Sequence, residues 1–117
     1  MRALAPTVLL GALAWLPSCQ ILPRSYTEVN EVVQRADQID VGRTTREQLA
    51  TLYAHPAWVE FLDFGKERLF FKETVSAEEF VGSTFDLAGG VVQDKYVALY
   101  RRDSDGVVEW VRDLIGG

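Results

Sequence analysis

The chain of 117 residues is long enough for one modest domain, and its 48% hydrophobic and 11% aromatic content excludes a disordered polypeptide. Seventeen acidic against twelve basic side chains give a net charge of −5 with no basic cluster, which argues against nucleic acid as a partner. One Cys and one His leave neither a disulfide framework nor a zinc ligand set.

Met1 to Cys19 opens with Arg2, continues as an almost wholly apolar run from Ala3 to Leu16, and ends in Leu16-Pro17-Ser18-Cys19. The apolar run is shorter than the ~20 residues a spanning helix needs, so the stretch reads as an export signal. Its last four residues look like a bacterial lipobox, an aliphatic residue three places before Cys, with Pro17 an unusual middle occupant. The motif needs Cys because the thiol takes a diacylglycerol thioether. The resemblance implies cleavage before Cys19, which would free an amino terminus for a fatty acyl group such as palmitate. Each buried CH₂ is worth ~0.8 kcal/mol, so two or more chains anchor stably where one does not. In such lipoproteins an Asp after the Cys favours retention at the inner membrane. Gln20 therefore favours the outer one.

The expectation is a signal peptide over 1–18, lipid attachment at Cys19, a tether over 19–24 and a single domain over 25–117. The protein would lie on the periplasmic face of the outer membrane, with its covalent lipid and no other cofactor. Removing Arg2 leaves eleven basic against seventeen acidic side chains, a net charge of −6.

Ser25-Tyr26-Thr27-Glu28 has the form of a capping box, and Val29, Val32, Val33 and Ala36 recur at helical spacing. This predicts a helix from about Thr27 to Gln38. Gly42 permits a turn, Thr44 to Glu47 forms a second box, and Leu49, Leu52 and Tyr53 make the apolar face of a helix starting at Thr45. Pro56 stops it.

The period then falls from 3.6 to 2. Trp58 to Phe64 places Val59 and Phe61 on one face and Trp58, Glu60, Leu62 and Phe64 on the other. After Gly65-Lys66, Arg68 to Lys72 resumes the pattern, which suggests a hairpin. Residues 74–90 look irregular, with Ser76 to Glu79 able to cap one helical turn and Gly89-Gly90 a bend. Val91 to Arg102 is the longest strand candidate, with Tyr96, Ala98 and Tyr100 opposite Val97 and Leu99. Asp103 to Gly106 turns the chain, Val107 to Val111 returns, and Asp113 to Gly117 reads as a frayed tail. The predicted fold is α+β, two N-terminal helices packed on a three- to four-stranded antiparallel sheet in a two-layer sandwich.

Ile39, Gly42, Thr44 and Leu49, followed by Ala54-His55-Pro56, give a pattern that resembles the SmpA/OmlA outer-membrane lipoproteins. An aromatic strand at Phe70-Phe71 and a final hairpin around Asp105-Gly106 follow in the same order, behind the same kind of leader. Ala54 stands where the family has Gly. The resemblance implies an accessory lipoprotein that helps assemble outer-membrane β-barrels, contacting a larger lipoprotein subunit and phosphatidylglycerol. It also implies that the aromatic strand around Phe70 lies on the contact face.

Catalysis is not expected. His55 stands alone beside a helix end, without the orienting partner a triad needs, and no Gly-rich phosphate loop or nucleophile elbow occurs. Asp103-x-Asp105-Gly106 imitates part of a calcium loop, but Arg101 and Arg112 occupy positions where carboxylates belong. The aromatic residues remain. Both faces of the strands carry them and helices can cover only one, so some are expected to be exposed and to mark a partner surface. Phe70, Phe71, Tyr96 and Trp110 are the candidate partner-binding residues. The alternative to an assembly scaffold is a tethered periplasmic inhibitor or binding module for a hydrolase such as lysozyme or a β-lactamase.

Overall fold

The structure is a computed structural model that describes residues 26–116; the signal, Cys19, the tether and Ser25 lie outside the described residues. Two helices, α1 (Val29–Asp37) and α2 (Arg46–Leu52), precede five strands. These are β1 (Trp58–Phe61), β2 (Lys66–Thr74), β3 (Glu79–Ala88), β4 (Val91–Arg102) and β5 (Val108–Ile115). Each strand pairs antiparallel with the next in chain order, so the sheet is a five-stranded meander.

This corrects the expected sandwich of two helices on three to four strands. The sheet dominates, and the helices are short, of nine and seven residues. The difference lies in residues 74–90, expected to be irregular, which hold the central strand β3. Val81, Ser83, Phe85 and Leu87 alternate there with Phe80, Gly82, Thr84 and Asp86. Gly82 and Ser83 are weak strand formers that interrupt the apolar signal, while pairing on both sides supplies the stability their side chains do not. The tail is corrected too. β5 runs to Ile115, which pairs with Val97, and Leu114 and Ile115 pack against the core instead of fraying.

The helix starts also differ from the expected boxes. Glu28 is the N-cap of α1 and makes no side-chain cap, and the neighbouring Thr27 N–H donates to the Thr74 carbonyl at 3.1 Å. The reciprocal box of α2 sits one residue later than expected. The Gln48 N–H donates to Thr45 Oγ1 at 3.2 Å, and the Thr45 N–H donates to Gln48 Oε1 at 3.0 Å. Thr44 turns inward instead, its hydroxyl accepting from the Asp40 N–H at 2.7 Å.

Both helices cover one face of the sheet. Leu49 of α2 and Tyr53 just after it, with Ile39, pack on Leu69, Phe71, Phe85, Leu87 and Val92. Val32 and Ala36 of α1 pack on Val81, Val97 and Leu99. The rings of Tyr53, Phe71 and Phe85 meet at centroid separations of 4.7–6.0 Å. Lys95 of β4 donates to the Ala36 and Ile39 carbonyls at 2.9 and 2.8 Å, satisfying acceptors at the C-terminal end of α1. Two ion pairs tie helix to sheet, Arg35 to Glu73 at 2.6 Å and Arg46 to Glu67 at 2.8 Å. Tyr53 Oη and Ser83 Oγ are buried without a well-formed hydrogen bond, although the Ser83 hydroxyl lies near enough to the phenol to oppose the rise of its pKa. Burial pushes the Tyr53 phenol up to about 12.

Candidate functional site: the open face of the sheet

Alternation along each strand sends every second side chain to the face that the helices leave bare. Register aligns those residues across the sheet. Trp58 lies opposite Phe70, Phe70 opposite Thr84, and Thr84 opposite Tyr96. Phe80 lies opposite Tyr100, and Tyr100 opposite Trp110. The result is an aromatic layer that reaches from one edge strand to the other.

Gly82 lets the layer close. A Cβ there would stand 2.7 Å from Phe70 Cε1 and 2.9 Å from Tyr100 Cε2, so the two rings meet over the glycine from opposite sides. This glycine has no positive φ to accommodate; its role is close approach. Phe80 and Tyr100 stack with centroids 5.3 Å apart and planes at 19°. Lys72 Nζ lies 4.7 Å from the centre of the Phe80 ring and the Arg102 guanidinium carbon 5.9 Å from it, both within cation–π reach. Trp58 and Trp110, at the two edges, are 61% and 56% exposed.

Trp110 is held in place. Its Nε1–H and the Tyr96 hydroxyl both donate to Asp113 Oδ1, at 2.9 and 2.6 Å. The two donors hold the Asp113 carboxyl below the usual carboxylate range. The same bond to Asp113 leads the causes that push the Tyr96 phenol up to about 12. Elsewhere on this face Arg68 makes two hydrogen bonds to Asp86, at 2.7 and 3.1 Å, and so pairs in the fork geometry that arginine favours.

Of the candidate partner-binding residues, Phe70, Tyr96 and Trp110 share this open face. Phe71 does not. It is 5% exposed in the core beneath α2, so it is corrected from contact residue to packing residue. Consecutive residues of a strand point to opposite faces, and that alone separates Phe70 from Phe71. Sequence reasoning did not single out Trp58, Phe80 and Tyr100 as site residues, although Trp58 and Tyr100 carried the right alternation. Cys19 lies outside the described residues. His55 is exposed and lines a shallow hollow with Arg35, Tyr53 and Lys72, on no shared geometry with a nucleophile. Among the described residues no group of three metal-ligating side chains occurs, and no helix is long and apolar enough to cross a membrane.

What the open face can do chemically is bind. It offers ring faces and flanking cations, while the Trp110 and Tyr96 donors are already taken by Asp113. No family model, no curated protein and no solved structure matches this chain.

Proposed function

We propose that this is a lipid-anchored periplasmic protein, held at the outer membrane through Cys19, that binds another protein through the open face of its sheet and serves envelope β-barrel assembly. One observation carries the binding reading: an aromatic layer lies across the sheet face that the described helices leave bare, running from Phe80, itself only 8% exposed, to an exposed tryptophan at each edge. Tryptophan, tyrosine and arginine are the side chains that dominate protein interfaces. The assembly role comes from the resemblance to SmpA/OmlA lipoproteins, and the five-stranded sheet lends it no support.

The test is a detergent pull-down of the lipidated protein with mass spectrometry of what it retains, beside Trp58→Ala/Trp110→Ala and a Cys19→Ser control. Barrel-assembly subunits held by the wild type and lost in the double variant are the expected result. Recovery of a soluble hydrolase in their place would replace the scaffold with the tethered-inhibitor reading.

A further inference from the structure

The chain enters the domain along one edge of the sheet. The Thr27 N–H donates to the Thr74 carbonyl of β2 at 3.1 Å, four residues on from Phe70, whose carbonyl accepts the Ala57 N–H at 2.7 Å just before β1. Alternation turns the odd-numbered residues of this stretch inward, as when the Val75 N–H donates to the Glu79 carbonyl at 3.0 Å. Thr27 therefore lies in line with β1, on the outer side of β2. Five aromatic side chains are exposed among the described residues, and four of them follow this edge: Tyr26 at the entry, then Trp58, Phe61 and Phe64. Trp110 is the fifth, on the opposite edge.

The far end of the edge is the turn between β1 and β2, closed by the Lys66 N–H donating to the Asp63 carbonyl at 3.2 Å. Its central residues both have positive φ, 59° at Phe64 and 72° at Gly65. Turns of this primed kind favour Asn, Asp or Gly at the first central position. Phe64 is the one non-glycine residue with positive φ among the described residues. It gains no burial in return, being 96% exposed beside Phe61 at 80%. A bulky apolar side chain held in that backbone and offered to solvent marks a contact outside the monomer.

The length of chain between lipid and domain says what this edge meets. Seven residues, Cys19 to Ser25, precede Tyr26 and reach at most ~25 Å. β2 from Thr74 to Lys66 is itself ~26 Å long. Standing on the turn alone would lift the entry to the limit of that reach, whereas lying edge-on brings entry and turn to the surface together. We infer that this edge rests on the bilayer, with Phe61 and Phe64 entering the headgroup layer and Tyr26 lying at it near the anchor. The inference rests on the Cys19 anchor proposed above. Amphipathic and aromatic side chains favour that depth. The charges along the edge choose the lipid. Glu60, Asp63 and Lys66 are in no ion pair among the described residues, and their balance is acidic. Phosphatidylethanolamine offers an ammonium to the two carboxylates and a phosphate to the lysine, whereas an anionic headgroup repels the carboxylates. Edge-on, the sheet stands upright and its open face stays clear for a protein partner.

Every described element and both cores lie after Tyr26, so the chain from Cys19 carries the whole fold. The test couples Cys19 to a maleimide lipid in vesicles of phosphatidylethanolamine and phosphatidylcholine, which supplies the anchor whether or not cells acylate it. A failed contact and a failed acylation are then separate results. With Trp58→Phe and Trp110→Phe in place, Phe64→Trp makes a single reporter. Its emission should shift to the blue and be quenched by brominated phosphatidylcholine. Trp58→Phe alone, which leaves Trp110 as the reporter, should show neither change. Uncoupled, the wild-type chain should bind the vesicles weakly, and Phe61→Ser with Phe64→Asn should weaken that binding roughly tenfold. The fold should survive, because Asn suits the turn. A coupled reporter at position 64 whose emission stays that of the uncoupled protein overturns the proposal. So does a contact that strengthens when phosphatidylglycerol replaces phosphatidylethanolamine.

Discussion

Gly82→Ala tests whether the open face is built as described. In an ordinary strand, replacing Gly by Ala stabilises by roughly 0.5–1 kcal/mol, because it lowers the entropy of the unfolded chain and φ here is not positive. At this position the new methyl would stand 2.7 and 2.8 Å from Phe70 Cε1 and Cζ and 2.9 Å from Tyr100 Cε2. All three atoms are ring ends, so the rings swing outward while the backbone holds. Crowding of this kind costs ~1–3 kcal/mol, which outweighs the entropic gain. The net expectation is a loss of about 0.5–2 kcal/mol, and each kcal/mol lowers Tm by about 4–8 °C in a domain of this size. Thermal unfolding by circular dichroism measures it. Repeating the substitution in a Phe70→Ala background should recover much of the loss, since one of the two rings is then gone. If Gly82→Ala stabilises the wild type by the ordinary strand increment, the rings do not meet over Gly82 and the continuous aromatic layer is wrong.

Three further outcomes follow from the hydrogen bonds. Tyr53→Phe removes a buried hydroxyl that lacks a well-formed hydrogen bond and should raise stability by ~1 kcal/mol in urea unfolding; a loss of that size would mean that it bonds to the neighbouring Ser83 hydroxyl. Thr45→Ala breaks the reciprocal cap of α2 and should cost ~1 kcal/mol by the same assay. In alkaline titration followed by tyrosinate absorbance, Tyr53 and Tyr96 should hold their protons to about 12. For Tyr96 the folded value exceeds the unfolded one, so its contribution is present below the ordinary phenol range and is lost as pH rises towards about 12. Asp113 runs the other way: its contribution is present above the ordinary carboxylate range and is lost as pH falls through the depressed value. Tyr96→Phe should remove one late-titrating proton, and loss of a phenol that titrates in the ordinary range would refute the bond to Asp113.

Both helices are legible because each carries an apolar stripe at helical spacing, even though Glu28 makes no side-chain cap at the start of α1 and the cap of α2 is Thr45 and not Thr44. α2 ends at Leu52, ahead of Pro56, where Tyr53 is already extended. The central strand was not legible. β3 carries Gly82 and Ser83 at its middle, and the reason for Gly82 lies on neighbouring strands, in Phe70 and Tyr100, which no local window contains. The count of strands, and with it the fold, turned on that one segment. At the site, alternation correctly placed Tyr96 with Tyr100 and Trp58 apart from Val59. Naming Phe71 beside Phe70 ignored the same rule. The tip at Phe64 could not be anticipated, because a phenylalanine before Gly65 reads as one more strand residue until the backbone shows positive φ at both.

A partner seated on the open face in the cell envelope would shield the two edge tryptophans. Oxidative footprinting compares Trp58 and Trp110 in intact envelopes with the same residues in the purified protein. Their exposure of 61% and 56% makes both readily oxidised when nothing covers the sheet. Both tryptophans should become several-fold less reactive in the envelope, where a partner covers the sheet. Equal oxidation of both tryptophans in the two settings would contradict it.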